Sequence, residues 1–211
     1  MNERSFCYCI FIVGLFILLY FTRHDIEYFI SREYVKSSID GRNYPVVGSF
    51  EGEREAADML ARINDFLLKV IKHMKKKYIV NGEGGKREKE ATLLLLDRYN
   101  PDVLFENNPV GLENTSYVSN KGESIGFCLR EKKTGNNDIH HWGIVQFVAL
   151  HEISHIITEE YGHGVEFWYN FKFMINEAID SGLYRSVNYA MYPEKYCGVL
   201  ITYSPEFDPT L

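Results

Sequence analysis

The stretch His-Glu-Ile-Ser-His, residues 151–155, constrains this chain more than any other feature of its sequence. It lies in an apolar segment, 138–160, which is expected to form a helix that begins near Asp138 and is buried on most sides. On a helix, His151 and His155 project from one face about 6 Å apart along the axis. Unpaired polar side chains are costly to bury, and a shared metal ion would give these two a partner.

Such a site needs a third protein ligand, because a metal that activates water is held by three side chains and keeps one position open. Glu159 continues the same helix face but lies about 12 Å from His151 along the axis, beyond the reach of a shared ion. Glu177 belongs to a later predicted helix, 165–181, on a side turned away from its apolar face. His163 stands between two glycines, which allow the chain to reverse and return an imidazole to the ion.

We therefore predict that His151, His155 and His163 bind a metal ion, with Glu177 left open as an alternative to His163. Glu152 follows the first histidine directly and lies beside the pair. That is where a base acting on metal-bound water has to be. The residue types and their spacing therefore point to metal-assisted hydrolysis.

The distribution of charge bears on possible partners. The chain of 211 residues has a net charge of -6, and its basic residues cluster between Lys69 and Lys89. From Asp138 onward, around the histidines, acidic residues predominate. Phosphate contacts require a basic surface, so nucleic acid is not the expected partner of this site. The lysine-rich stretch is either a solvated helix face or a patch for an acidic partner.

The amino-terminal end predicts a membrane anchor. Residues 6–22 are apolar and uncharged, just long enough to span a bilayer, and no small-residue cleavage site for a signal peptide follows them. A linker, 23–49, and one folded domain, 50–211, are expected after this single transmembrane helix. The only cysteines of that domain are Cys128 and Cys197, which form the one pair it could bridge.

The remaining patterns predict an α+β domain. Apolar residues at three- and four-residue steps predict a helix over 51–77, and the apolar run 91–99 predicts a second, buried helix. Alternating apolar residues within 117–130 predict two strands joined at Asn120-Lys121-Gly122. The two helices that carry or follow the histidines complete the domain.

Several stretches resemble a known family. HEISH, GHGVEFW and NFKFMINEAIDSGLY are similar to SprT/WLM-like zinc metallopeptidases, above all to the WLM-like metallopeptidases of large DNA viruses, and the resemblance covers about residues 115–205. It implies a zincin-like domain, with helices around a small mixed sheet, preceded here by the transmembrane helix. It also implies one Zn2+ per chain on His151, His155 and His163, with Glu152 as catalytic base.

The expected function is therefore peptide-bond hydrolysis by a zinc metallopeptidase anchored in a viral or host membrane, acting on a protein or peptide substrate. The substrate is expected to lie as an added strand along 124–130, and Tyr192 or Tyr196 could donate a hydrogen bond to the developing oxyanion. Two alternatives stay open. One is a non-catalytic membrane or virion protein with a structural zinc site, and the other is a DNA-associated protease of the SprT/WLM type.

Overall fold

The computed structural model describes residues 32–48, 50–107, 115–131 and 138–211, which form helices around small β-sheets. The strands are β1 (Arg32–Lys36), β2 (Asn43–Val47), β3 (Leu104–Glu106), β4 (Tyr117–Ser119), β5 (Ser124–Phe127), β6 (Glu194–Tyr196) and β7 (Val199–Ile201). The α-helices are α1 (Glu53–Met74), α2 (Lys86–Arg98), α3 (Trp142–Ile157) and α4 (Val165–Asp180), with a π-helical segment at Lys75–Val80 and a 3-10 turn at Pro205–Phe207. The α+β part of the predicted fold class is confirmed.

The central sheet has three strands in the order β3–β5–β4. β5 is parallel to β3 and antiparallel to β4. β4 and β5 form the predicted hairpin, whose turn contains Asn120 and Lys121 at positive φ, followed by Gly122. Because β5 is paired on both sides, the stretch 124–130 does not offer the exposed strand that the sequence predicted. The edge strands of this sheet are β3 and β4.

Helix α3 begins at Trp142 rather than near Asp138. The residues before it are extended, because Ile139 forms an antiparallel bridge with Arg130 and the Glu131 N–H donates to the Asp138 carbonyl at 3.3 Å. These backbone bonds to the chain after β5 replace the predicted first helical turn. The helix itself is buried on nearly every side, as its apolar sequence predicts.

Helix α1 supplies the largest part of the core. Its bounds are close to the predicted 51–77, and it continues directly into the π-helical segment. Its buried stripe packs against α3, α4 and β3 and includes Leu60, Ile63, Leu67, Val70 and Met74. Helix α2 is less buried than the run 91–99 predicted, since Leu93 and Leu96 are exposed.

A hairpin of β1 and β2 lies within the stretch 23–49, described above as a linker. The Val47 N–H donates to Glu106 Oε2 at 2.8 Å, and Arg130 Nε donates to Glu106 Oε1 at 2.6 Å in a fully buried ion pair. Burial raises the pKa of Glu106, and the Arg130 guanidinium opposes that rise. The buried pair thereby fastens the hairpin to the end of the central sheet.

The predicted membrane anchor requires correction. Among the described residues, no helix is long and apolar enough to cross a bilayer. Helix α3 is the most apolar but has 16 residues, about 24 Å of helix, and the longer α1 is charged along one face. The stretch 6–22 lies outside the described residues. The transmembrane helix is therefore withdrawn from the fold class, and the predicted single-pass membrane localisation is withdrawn with it.

Candidate metal centre

Three histidines converge on one point at the wall of a cleft. His163 Nε2 lies 3.1 Å from His151 Nε2 and 3.2 Å from His155 Nε2. Each residue offers a ring nitrogen within 4.8 Å of the other two, so the group could hold a metal ion. The structure therefore brings together the three residues that the sequence singled out as ligands.

Aromatic side chains of helix α4 pack against the two histidines of α3. The Phe167 ring is fully buried, with its centroid 4.8 Å from that of His151 and 4.3 Å from that of His155, on which it stacks. Phe171 lies 5.1 Å from His151 on the same side. This packing restricts the imidazole rotamers, and both rings present Nε2 to the point where His163 arrives.

His163 returns to α3 through the loop 158–164, which is held in shape from two directions. The Glu166 carboxylate, in the first turn of α4, accepts two backbone N–H bonds from this loop, at 3.2 and 3.3 Å. Lys121 Nζ, from the turn between β4 and β5, donates to two of its carbonyls at 2.5 and 3.0 Å. Gly162 has φ of 82°, a left-handed conformation that favours glycine at this reversal.

The other acidic candidates lie elsewhere. Glu159 accepts a hydrogen bond from Arg98 at 3.0 Å and is largely exposed. Glu177 accepts from the Tyr78 hydroxyl at 2.6 Å and from Lys77 Nζ at 3.0 Å. Neither carboxylate joins the three histidines, so Glu177 does not replace His163 in this group.

A second group that could hold a metal ion consists of His73, Glu177 and Asp180. Lys77 Nζ already lies among these acceptors, 3.0 Å from Glu177 Oε1 and 2.7 Å from Asp180 Oδ2. The ammonium group supplies the positive charge that the two carboxylates require. We therefore interpret this cluster as an ion-pair network between the π-helical segment and α4.

Burial determines the protonation of the three-histidine group. Burial and the neighbouring histidines lower the pKa of His151 to about 3 and that of His155 to about 4, and burial lowers the pKa of His163. The imidazoles are therefore neutral at pH 7, which leaves ring lone pairs for a metal. Burial alone raises the pKa of the neighbouring Glu152 to about 8.

The histidines and Glu152 line a cleft of about 580 Å3. Strand β4 and the β4–β5 turn border one side, and β7 borders another. The floor is formed by α3 and α4. A volume of this order is typical of sites for small molecules or for a short length of peptide.

Of the two tyrosines considered from the sequence, Tyr196 belongs to the cleft. Its hydroxyl is buried, lies 2.6 Å from Ser116 Oγ and has a pKa that burial raises. Tyr192 is exposed and is not among the residues that line the cleft. The residue after Tyr196 forms the Cys128–Cys197 disulfide, which joins the chain after β5 to the turn between β6 and β7.

Several residues of the cleft could not be recognised from the sequence. Lys121 reads as an ordinary turn residue, yet it holds the loop that carries His163. Ser116 precedes β4 as the last residue of the Asn-Thr-Ser triplet 114–116, and Tyr203 follows β7, and neither position has a motif that links it to the histidines. No spacing rule connects these positions to the histidines, because separate elements bring them to the cleft.

Comparison with known proteins identifies viral relatives. The chain is 33% identical over 175 residues to the uncharacterized protein R325 of Acanthamoeba polyphaga mimivirus, across 80% of this chain and 81% of that protein. This chain belongs to the same family. It is also 33% identical over 82 residues to the uncharacterized protein 136R of Invertebrate iridescent virus 6, across 39% of this chain and 44% of that protein. No protein-family model and no solved structure matches the chain.

Proposed function

We propose that this protein is a zinc metallopeptidase of the SprT/WLM-like type, which hydrolyses peptide bonds in a protein or peptide substrate. One observation carries the proposal. Three neutral imidazoles, His151, His155 and His163, converge at the wall of a cleft that is also lined by the buried carboxylate of Glu152.

The donor set suits zinc. Zn–N bonds of 2.0–2.1 Å at tetrahedral angles place ligand nitrogens roughly 3.3 Å apart, close to the 3.1 and 3.2 Å between the Nε2 atoms. Neutral nitrogen donors without a thiolate are compatible with zinc, and three protein ligands leave one coordination position open. We therefore assign one Zn2+ per chain to His151, His155 and His163.

Glu152 is placed to move protons. A zinc ion, when bound, supplies Lewis acidity that polarises a carbonyl and makes water more acidic. Among the described residues, no side chain or backbone group donates a hydrogen bond to the Glu152 carboxylate, and burial alone shifts its pKa. In the metal-free protein this raised pKa keeps Glu152 mainly protonated at pH 7. A bound Zn2+ would favour the charged form of the neighbouring carboxyl group, and Glu152 could then accept a proton from the attacking water and deliver it to the leaving amine.

The cleft has a strand edge along which a peptide can bind. Strand β4 pairs with β5 on one side, and its other edge borders the cleft. An extended substrate could add to this edge through main-chain hydrogen bonds. Tyr196, which shares a hydrogen bond with Ser116 at 2.6 Å, is the tyrosine able to donate to the developing oxyanion from within the cleft.

The charges disfavour a DNA-associated protease. Within the lysine-rich stretch 69–89, Lys69 pairs with Asp65 at 2.6 Å and Lys77 pairs with Glu177 at 3.0 Å. These two pairs reduce the number of unpaired cations in the stretch, and the acidic residues around the histidines disfavour phosphate binding at the cleft itself. A protein or peptide is therefore the better-supported substrate.

The test compares Glu152→Gln with the wild type. Because the glutamine keeps the shape but not the basicity of the carboxylate, we expect full zinc content by elemental analysis, an unchanged circular dichroism spectrum and loss of cleavage of a denatured protein substrate. Glu159→Gln, the same substitution at an exposed residue outside the metal group, should behave as the wild type. Equal cleavage by Glu152→Gln and the wild type would contradict the proposal. Zinc bound without cleavage by either would leave a structural metal site as the interpretation.

A further inference from the structure

An aromatic wall runs along one side of the cleft and begins at the metal centre. The Phe171 ring lies 5.1 Å from the His151 ring and 5.0 Å from the Phe147 ring. Trp168 continues the wall, 6.3 Å from Phe171 and 5.1 Å from Tyr203, which it meets edge to face. We name these four residues, which all line the cleft, the aromatic subsite: Phe147, Trp168, Phe171 and Tyr203.

The aromatic subsite is open to solvent above a buried floor. Phe147 and Phe171 are 4% and 1% exposed, but Tyr203 is 37% exposed. Strand β7, which also lines the cleft, exposes Val199 and Leu200, at 49% and 53%. Apolar surface from the aromatic subsite and from β7 is thus exposed to water in one cleft. A large apolar group that entered it would remove both surfaces from water together.

The open side of the subsite is fixed before anything binds. The Tyr203 hydroxyl donates to Asp208 Oδ2 at 2.7 Å, and Lys172 Nζ donates to the Asp208 carbonyl at 2.7 Å. Trp168 sits on helix α4 and packs against the Tyr203 ring. Rings held in this way lose little conformational entropy on binding, which favours recognition of a complementary side chain.

The two ends of the cleft differ in polarity. Phe147 precedes His151 by one turn of α3, about 6 Å along the helix axis. Beyond His155, at the other end, the cleft is lined by Lys121 and Glu160 and by the Tyr161 ring, which the Lys121 ammonium group covers. The histidines therefore lie between an apolar half and a half that contains charged groups. A side chain next to a carbonyl held at the histidines would reach the apolar half.

We propose that the aromatic subsite binds a large apolar side chain, aromatic or leucine-like, of the substrate residue next to the scissile bond, and that Trp168 is a specificity-determining residue. The inference rests on the proposed zinc peptidase function and defines its substrate class. The occupant is a polypeptide rather than a free apolar ligand, because the subsite shares one cleft with the metal centre and with strand β4.

The test uses amino-acid hydroxamates, which bind a protein-held zinc ion through one end and present a chosen side chain through the other. Affinities of the phenylalanine, leucine, alanine and aspartate hydroxamates for the zinc-loaded full chain are measured by calorimetry. Quenching of Trp168 fluorescence, in a Trp142→Phe background that removes the other tryptophan, reports whether the side chain reaches the subsite. We expect the phenylalanine and leucine compounds to bind at least ~10-fold more tightly than the alanine compound, with the aspartate compound weakest.

Variants then assign the preference to the aromatic subsite. Trp168→Ala should reduce the phenylalanine-to-alanine affinity ratio by about 10-fold or more while acetohydroxamate binding stays unchanged. Leu200 is exposed, so Leu200→Asp should not impair folding. This variant should also lower the phenylalanine-to-alanine affinity ratio. Tyr169→Ala is the matched control, since Tyr169 is the next residue of α4 and contacts Arg87 outside the cleft.

The outcomes separate this inference from the function on which it rests. Equal affinities for all four compounds, with acetohydroxamate still bound to the zinc, would overturn the aromatic subsite and leave the peptidase proposal standing. Absence of zinc from the loaded chain would overturn both. Hydroxamate preference without peptide cleavage by the wild type would support the subsite and contradict the catalytic function.

Discussion

Removing the Cys128–Cys197 disulfide is expected to destabilise the protein by about 4 kcal/mol. The bridge joins residues separated by 69 positions. The chain-entropy relation for disulfides gives about 4 kcal/mol at 25 °C for a loop of that size. Single domains are commonly stable by ~5–15 kcal/mol, so the bridge accounts for a large share of the total.

The position of the bridge extends its effect to the cleft. Both cysteines are buried, and they tie the chain after β5 to the turn that precedes β7. Tyr196 lies immediately before that turn, and β7 forms one wall of the cleft. Without the bridge, the β6–β7 hairpin keeps its noncovalent contacts but loses its covalent link to the central sheet. We therefore expect binding in the cleft to weaken together with stability.

The assay is guanidinium unfolding followed by circular dichroism, for the wild type and for the double variant Cys128→Ala/Cys197→Ala. The midpoint of the variant should fall, and the difference in extrapolated free energy gives the magnitude. Lys72→Ala, at an exposed position of α1, retains the bridge and should unfold at the wild-type midpoint. The reasoning is refuted if mass spectrometry shows the bridge in the wild type and the Cys128→Ala/Cys197→Ala variant still unfolds at the same denaturant concentration.

Two further predictions follow from the packing around the histidines. Burial lowers the pKa values of His151 to about 3 and His155 to about 4, so below about pH 6.5 the unfolded chain binds protons that the folded chain does not. The metal-free protein should therefore lose stability as the pH falls, by roughly 1–2 kcal/mol per imidazole at pH 5. Glu152, whose pKa burial raises to about 8, binds a proton in the folded chain over the same range and offsets part of this loss. In the Glu152→Gln variant, which removes that opposing group, an unchanged melting temperature between pH 7 and pH 5 would contradict the prediction. Phe167→Ala removes a fully buried ring that stacks on His155 and should cost about 3–5 kcal/mol of stability and weaken zinc binding, as measured by unfolding and by competition with a chelator. Phe207→Ala, at a half-exposed position, is the control and should change stability by less than ~0.5 kcal/mol.

The local parts of the structure could be predicted because a few neighbouring residues encode them. The four-residue spacing of His151 and His155 determines that they share a helix face. The alternation within 117–130 and the turn at Asn120-Lys121-Gly122 specify the β4–β5 hairpin, and the apolar steps of α1 specify its buried stripe. Glycines on both sides of His163 allow the chain to reverse there.

Other expectations failed where distant segments compete for the same backbone groups. Helix α3 does not begin at Asp138, because the residues before Trp142 are extended and pair with the chain after β5. The predicted exposed strand, 124–130, became the middle of the sheet because β3 pairs with it from about twenty residues earlier in the chain. Hydrophobic periodicity does not determine with which of two available segments a strand forms backbone hydrogen bonds.

By itself, the sequence determined the α+β class, the amphipathic helices and the choice of three histidines and one glutamate, since each depends on residues close together in the chain. Only the tertiary structure decided that β4 forms a strand edge at the cleft, that the one available cysteine pair is close enough to form a disulfide, and that aromatic rings from α3, α4 and the chain after β7 form one wall. The physical reason is that contacts between distant segments depend on how whole elements pack, and a local sequence pattern does not specify that packing.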